Sequence, residues 1–335
     1  METLSDEELI IKNYGLEHAE RTERFLVEEV KDTELLEPIH YILTARQDCL
    51  HPSIISLSCE AAHGDPVGVQ YVSMAVSLAC HSIAIFDDLL DRTTTRRFVP
   101  TVLGRFGFDR ALLVGGFVAA KAFGALDLLA ENVSTNIFIE VSREFQKFLS
   151  KMTFAEITNS NLSKTSTFNA QARLDLLEAE GSDIEASGRL GTIVGGCGAR
   201  EVEMMTEYGH HLGKALRLRE DLESSLNLTL ELDEKIRRGA IPYPTALALT
   251  KMDRREQLMR LFNEKTGTED ERVHQLVCQL FDTGAFDHTI ELIEKETRDS
   301  VNALKEIGEC EAKHALTVMA SSQKKLALRN LKPLL

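Results

Sequence analysis

The chain has 335 residues, of which 43% are hydrophobic, and a formal net charge of −15 at pH 7. Nucleic-acid binding draws its affinity mainly from clustered Lys and Arg, so this charge argues against a nucleic-acid partner. The length is sufficient for a large buried core in one or two domains.

The first predicted element is an amphipathic helix near the N-terminus. Ser5 and Glu8 stand at the spacing of a capping box, and the acidic stretch around them lacks the basic and apolar regions of a secretory signal. Later segments such as "TNIFIEVSREFQKFLSKM" and "HTIELIEKETRDSVNALKEIG" place apolar residues three and four apart. We find no convincing strand, linker or fixed repeat. The sequence therefore predicts a single all-α domain over residues 1–335, with about a dozen helical segments.

The next prominent segment, Pro66–Phe86, carries no formal charge and is long enough to raise the question of a membrane helix. It contains several polar side chains and leads directly into aspartates, which favours a helix buried in a soluble core. The six cysteines form no C-x-x-C pair. This spacing predicts reduced thiols in a cytoplasmic protein. The polar residues of the apolar segment, in turn, predict that the chain does not span the membrane.

An acidic motif, "DDLLD" at residues 87–91, follows this apolar segment. Asp87 and Asp91 lie four residues apart and share a helix face, while Asp88 lies about 100° round the axis. A solvated helix end would explain such a motif by itself. Because the preceding turns are apolar, the sequence instead predicts carboxylates at the mouth of a buried region. Mg²⁺ would offset their mutual repulsion there.

A second acidic cluster lies in "LGKALRLREDLESSLN" at residues 212–227. Glu220, Asp221 and Glu223 again follow an apolar helix face. Arg217 and Arg219 precede Asp221 and Glu223 by four residues, so ordinary helix ion pairs explain this cluster as well. The glycine-rich stretch between the clusters, "GRLGTIVGGCGA", does not match G-x-G-x-x-G, and it is better explained by close helix packing.

Taken together, these motifs resemble those of the trans-type polyprenyl diphosphate synthase family. The likeness is carried by "HSIAIFDDLLDRTTTRRFVPT", "FGFDRALLVGGFVAAKAF" and "YGHHLGKALRLREDLES". Weaker matches extend the resemblance from about Arg46 to Leu249. The resemblance implies an isoprenoid synthase-type bundle of helices around a deep apolar cavity, and commonly a homodimer.

The resemblance also assigns roles to residues. The substrate would be an allylic prenyl diphosphate, and the cofactor three Mg²⁺ ions. The acidic residues assigned to catalysis are Asp87, Asp88, Asp91, Glu220 and Asp221, and the metal ligands among the matched positions are Asp87, Asp91, Glu220 and Ser224. The residues assigned to diphosphate binding are His81, Arg96, Arg97 and Arg217. A core histidine at His81 and an ion pair between Arg217 and Asp221 remain open alternatives. Glu156 is a further candidate for a metal or water contact.

Several basic residues of the family pattern are absent from this chain. Asp48 and Cys49 stand where the family has a Lys and an Arg that hold the homoallylic diphosphate. Ala179 and Glu180 stand where it has a Lys-Thr pair that helps hold the allylic diphosphate. A late Lys corresponds to Ala240. Each charge-assisted contact of this kind is worth about 1.5–3 kcal/mol. The second acidic motif also resembles the metal-binding pattern of class I terpene cyclases, although Leu228 does not match the third ligand of that pattern.

We therefore expect a Mg²⁺-dependent class I isoprenoid synthase that ionises an allylic prenyl diphosphate, with weak or absent use of a homoallylic co-substrate. Chain elongation is one alternative, in which a second isoprenoid diphosphate captures the carbocation. Cyclisation is a second alternative, in which the substrate's own double bond captures the carbocation. A third alternative is a non-catalytic partner subunit, against which the intact first motif argues.

Overall fold

A computed structural model of the chain describes residues 5–28, 30, 33–45, 47–96, 99–162, 169–226, 241–251 and 269–331. Fourteen α-helices lie within these residues: α1 (Asp6–Glu28), α2 (Thr33–Ala45), α3 (Leu50–Ala61), α4 (Val69–Leu90), α5 (Val102–Phe106), α6 (Phe108–Ala130), α7 (Thr135–Leu162), α8 (Ala170–Glu180), α9 (Ser182–Val194), α10 (Ala199–Leu226), α11 (Tyr243–Thr250), α12 (Glu269–Asp282), α13 (Ala285–Ala303) and α14 (Glu311–Leu331). The predicted all-α class is confirmed. The sequence analysis missed one short antiparallel hairpin, formed by β1 (Thr95–Arg96) and β2 (Val99–Pro100).

The predicted capping box at the start of α1 is present. The Ser5 backbone N–H donates to Glu8 Oε2 at 2.7 Å, and the Glu8 N–H donates to Ser5 Oγ at 3.3 Å. These reciprocal bonds satisfy backbone donors that have no partner within the helix, so α1 begins where the spacing predicted.

The described residues form two compact units. The first comprises the residues up to Ser150 together with Asp183–Gly209 and Ala303–Met319, and the second comprises Lys151–Ser182, His210–Asn302 and the residues from Ala320 onward. The single-domain prediction stays a prediction.

The apolar segment of the sequence forms α4 of the first unit, which packs against α3 and α6. At the contact with α6, Gly115 lies against Phe86, and a Cβ atom at Gly115 would come within 2.9 Å of the Phe86 ring. The Ser82 hydroxyl donates to the Gly115 carbonyl at 2.9 Å. This packing fixes the last turn of α4, which carries the first acidic motif.

The first part of the glycine-rich stretch lies in α9, where its glycines show the predicted close helix packing. A Cβ atom at Gly188 would lie 2.4 Å from the Met205 carbonyl oxygen, and one at Gly191 would lie 2.3 Å from that of Ile55. Only glycine allows the backbones to approach this closely.

The second unit has its own apolar core, to which α8, α10, α11, α12 and α13 contribute buried side chains. Gly181, which follows α8, lies against Gly213 of α10, where a Cβ atom on Gly213 would meet the Gly181 carbonyl oxygen at 2.2 Å. The two chain segments therefore pass close together beside the second acidic motif.

Two of the described helical segments, Pro66–Leu90 and Phe108–Ala130, are long and apolar enough to span a bilayer by length and composition. In the first, 67% of the most apolar stretch is buried within the protein, whereas in the second only 39% is buried. The burial of the first agrees with the predicted core helix.

Candidate active site

The first acidic motif lies where α4 ends. Asp88 is buried, with 2% of its surface exposed, while Asp87 and Asp91 are half-buried. Asp91 is the C-terminal cap of the helix, and its backbone N–H donates to the Asp87 carbonyl at 2.9 Å. The helix geometry thus separates one buried carboxylate from two that solvent reaches.

The hairpin that follows α4 folds Arg96 back onto this motif. Arg96 Nε donates to Asp88 Oδ1 at 2.6 Å, and another guanidinium nitrogen bonds Asp87 Oδ2. Burial by itself would lower the pKa of Arg96, but the two aspartates outweigh that effect and raise it. The Thr101 hydroxyl holds the hairpin by donating to the Thr93 carbonyl at 2.7 Å. Arg97, the other predicted base, lies outside the described residues.

His81, a predicted diphosphate contact, is buried on α4. Its Nδ1 lies 2.6 Å from the Ser77 carbonyl oxygen, which can only accept, so Nδ1 carries the proton of that hydrogen bond. This bond accounts for one ring nitrogen in the way expected for a core histidine. The predicted role in diphosphate binding stays a prediction.

A buried ion cluster lies at the start of α3, at the position to which the resemblance assigned binding of the homoallylic diphosphate. His51 Nδ1 lies 2.9 Å from Asp48 Oδ2, and His51 Nε2 lies 3.1 Å from Asp183 Oδ2. The Ser77 hydroxyl donates to Asp48 at 2.7 Å. Burial by itself would lower the pKa of His51, but Asp48 and its other neighbours raise it well above its ordinary value.

Asp48 is one of the two carboxylates in this cluster. Burial by itself would raise its pKa, but the His51 imidazolium, aided by the Ser77 hydroxyl, holds the pKa of Asp48 well below its usual range. The cluster therefore contains one cation between two carboxylates. The sequence analysis did not single out His51 or Asp183, which lie 132 residues apart.

The second acidic motif lies at the C-terminal end of α10, and its central carboxylate is bound by an arginine of α8. Arg173 Nε donates to Asp221 Oδ2 at 2.9 Å, and a terminal guanidinium nitrogen donates to Oδ1 at 2.7 Å. Asp221 Oδ2 also accepts the backbone N–H of Tyr243 at 2.7 Å, at the first residue of α11. The sequence analysis missed Arg173.

The other two carboxylates of this motif also have arginine partners. Arg217 contacts Glu220 at 2.8 Å, and Arg219 contacts Glu223 at 3.5 Å, the latter at the predicted spacing of four residues. Ser224 is half-buried on the same helix. The structure thus contains one of the predicted helix ion pairs, Arg219 with Glu223, and adds Arg173 as a partner from another helix.

Glu180 stands at the end of α8 beside the same arginines. Arg173 donates to Glu180 Oε1 at 3.1 Å, and Arg217 Nε donates to the Glu180 carbonyl at 3.4 Å. Burial raises the pKa of Glu180 even though Arg173 opposes the shift. Glu156 is half-buried on α7, and its predicted contact with a metal ion or water stays a prediction. Leu228 and Ala240 lie outside the described residues.

The two acidic motifs differ as sites for a divalent ion. Asp87 and Asp91 offer hard oxygen donors one helical turn apart at a partly exposed helix end, which suits Mg²⁺. In the second motif, both oxygens of Asp221 are already engaged by the Arg173 guanidinium. The residues of the first motif fit the predicted ion. Asp221, which was predicted as catalytic and not as a metal ligand, does not fit one, and the predicted metal ligands Glu220 and Ser224 stay a prediction.

The comparisons with known proteins agree with the motifs. The family model for polyprenyl synthetase matches residues 32–280. Geranylgeranyl diphosphate synthase of Sulfolobus acidocaldarius is 22% identical over 82% of this chain and 84% of its own length. The short chain isoprenyl diphosphate synthase of Methanothermobacter thermautotrophicus is 24% identical over 93% and 96%.

A solved structure with a similar name shares the fold of this chain. The crystal structure of geranylgeranyl pyrophosphate synthetase from Pyrococcus horikoshii superposes with a TM-score of 0.83 and 21% identity, and the match covers 95% of this chain and 98% of that one. The chain is therefore a member of the polyprenyl synthetase family.

Proposed function

We propose that the chain is a chain-elongating prenyltransferase that ionises an allylic prenyl diphosphate and joins the prenyl group to a homoallylic diphosphate. The first acidic motif carries the ionising half of this proposal, because two partly exposed carboxylates lie beside a buried one that is tied to Arg96. Relatives named geranylgeranyl diphosphate synthase, matched over most of their length, favour elongation over the single-substrate alternative.

Asp87 and Asp91 would hold Mg²⁺, which supplies positive charge to offset the charge that develops on the departing diphosphate. Asp88 has a different part, because its carboxylate is buried and holds the Arg96 guanidinium in place. Arg96, exposed at the hairpin, adds a fixed positive charge beside the two metal-binding carboxylates. The apolar side chains of α4 would exclude water from the carbocation.

A second candidate function, ionisation with weak or absent use of a homoallylic diphosphate, is favoured by the cluster at the start of α3. His51 is the one charged base in that cluster, and carboxylates of Asp48 and Asp183 lie within 3.1 Å of its ring nitrogens. A second diphosphate at this position would meet a net negative charge, which opposes its binding. Terpene cyclase-like chemistry would then use the same ionisation step.

The test is to incubate the purified chain and Mg²⁺ with an allylic diphosphate and a labelled homoallylic diphosphate. Elongation predicts label in longer prenyl diphosphates. Release of diphosphate without label in the products would instead support the second candidate. Release of no diphosphate would contradict both and leave the non-catalytic partner subunit.

A variant sharpens this test. Asp183→Asn removes one carboxylate beside His51, so an elongating enzyme should show a lower KM for the homoallylic substrate and little change in KM for the allylic one. The matched control is Glu203→Gln, which neutralises an exposed carboxylate on α10. An equal change in both KM values would mean that the α3 cluster does not select the second substrate.

We further propose that two copies of the chain associate through α6. The exposed face of this helix carries large apolar side chains, namely Phe108, Leu112, Leu113 and Phe123, with between 45% and 64% of each exposed. A monomer rarely leaves such a stripe in water, and a second copy of the same face would cover it. Leu113→Asp should yield a monomer by light scattering. Val67→Asp, at an exposed apolar residue outside α6, should not.

A further inference from the structure

The second acidic motif contains its own positive charges. Each of its three carboxylates has an arginine within ion-pair distance: Asp221 with Arg173, Glu220 with Arg217, and Glu223 with Arg219. Arg173 also contacts Glu180, so three guanidinium groups lie among four carboxyl groups. They reduce the mutual repulsion of the carboxylates, which was the reason for expecting external cations at this motif.

Asp221 is the carboxylate of this motif whose two oxygens are both engaged by fixed N–H donors. Its side chain is 9% exposed, its Oδ1 accepts from Arg173 at 2.7 Å, and its Oδ2 accepts from Arg173 and from the Tyr243 backbone N–H. The Tyr243 N–H lies in the first turn of α11, where a helix has no carbonyl partner of its own. Asp221 therefore holds the start of α11 as well as the arginine.

Arg173 is likewise held in place by two carboxyl groups. Its guanidinium is 17% exposed and also donates to Glu180 at 3.1 Å. The backbones of Gly181 and Gly213 approach closely beside it, which fixes the segment after α8 against α10. Glu180 and Asp221 together leave the arginine little freedom to move aside for an ion.

A divalent ion at Asp221 would have to break this arrangement. Mg²⁺ requires nearly octahedral geometry and keeps several water molecules, whereas Asp221 is buried and its oxygens accept fixed N–H donors. Removing one partner from a buried ion pair leaves the other uncompensated, at a large cost. Asp87 also has an arginine partner, but the bond from Arg96 involves only its Oδ2, whereas Arg173 engages both oxygens of Asp221.

We propose that Arg173 is the permanent counter-cation of Asp221, so that no divalent ion binds this carboxylate. This inference rests on the proposed function, because it concerns the metal content of the same enzyme. The predicted metal ligands of the second motif, Glu220 and Ser224, are not part of this inference and stay a prediction. Arg173 is a positioning residue, since its contacts are with Asp221 and Glu180.

Mn²⁺ binding tests the inference without relying on activity. The number of Mn²⁺ ions bound by the full chain is measured by electron paramagnetic resonance in the presence of inorganic diphosphate. Asp221→Asn should bind as many ions as the unmodified chain. Asp87→Asn should bind at least one fewer.

A paired variant guards against an effect of unfolding. Asp221→Asn leaves Arg173 without its carboxylate and should lower the melting temperature, whereas Arg173→Gln combined with Asp221→Asn keeps an acceptor for the Tyr243 N–H and should recover part of the loss. The paired variant should also bind the unmodified number of ions. Loss of an ion from either variant would overturn the inference.

The two proposals fail in different ways. If the unmodified chain bound no Mn²⁺ with diphosphate present, the proposed metal-dependent function would be wrong, while the absence of metal at Asp221 would agree with the inference. If Asp87→Asn and Asp221→Asn each lost an ion, the proposed function would stand and the assignment of Arg173 would be wrong.

Discussion

The ion cluster at the start of α3 predicts a large and pH-dependent effect on stability when its cation is removed. In His51→Leu, Asp48 and Asp183 would keep their places without the imidazolium that lies 2.9 and 3.1 Å from them. The side chains are 13%, 12% and 5% exposed for His51, Asp48 and Asp183, so solvent offers little compensation.

The size of the effect follows from the cost of leaving buried charge unpaired. Breaking a buried pair by removing one partner costs about 3–5 kcal/mol. Since about 1 kcal/mol moves the melting temperature of a unit of 150–250 residues by about 2–4 °C, the variant should melt roughly 6–20 °C lower near neutral pH. A matched control is His314→Leu, at an exposed histidine on α14, which should change the melting temperature little.

The pH dependence has a definite sign. The pKa of His51 is raised in the folded chain, so its stabilisation is complete below its ordinary value of 6.5 and declines as pH rises through the folded value. The pKa of Asp48 is lowered, so its contribution is complete above its ordinary value of 3.8 and is lost as pH falls toward the folded value. The cluster therefore stabilises the fold most between these two ordinary values.

Calorimetric melting between pH 4 and pH 9 measures both effects. The unmodified chain should lose the contribution of this cluster toward high pH, and His51→Leu should lack that component. The variant should approach the unmodified chain as pH falls, because protonation of Asp48 or Asp183 relieves the unpaired charge. A melting temperature equal to that of His314→Leu across the range would refute the account of this cluster.

Two further predictions concern buried groups. Interactions with His211 and two lysines outweigh burial and lower the pKa of Glu296 to about 2. The stabilisation is therefore complete above the ordinary value of 4.5 and is lost as pH falls through about 2. Glu296→Gln should cost about 3 kcal/mol at pH 7 and little at pH 2, as acid titration of unfolding would show. Burial raises the pKa of Cys59 to about 12, so its thiolate fraction at pH 8 is roughly one in ten thousand. Iodoacetamide should therefore modify the exposed Cys278 well before Cys59, as peptide mass spectrometry would show.

Features that depend on residues three or four apart could be predicted from the sequence. The capping box of Ser5 and Glu8 and the ion pair of Arg219 and Glu223 are of this kind, because helix geometry fixes which side chains meet. The buried helix before Asp87 could be predicted too, since its uncharged run requires an apolar environment.

The partners that decide the chemistry of both clusters come from distant parts of the chain. Arg173 lies 48 residues from Asp221, and Asp183 lies 132 residues from His51. No periodic pattern relates such positions, because their contact is set by how α8 and α9 pack against other helices. Arg96 illustrates the same limit at shorter range, since the hairpin that returns it to Asp88 was not predicted.

The central claim is that the carboxylates of the first acidic motif drive ionisation of an allylic diphosphate. The most direct measurement is Mg²⁺-dependent release of diphosphate by the unmodified chain, by Asp87→Asn and Asp91→Asn, and by the exposed control Glu203→Gln. The account predicts that each aspartate variant loses on the order of 10² in rate while retaining its fold, and that the control keeps its rate. Undiminished release by both aspartate variants would contradict it.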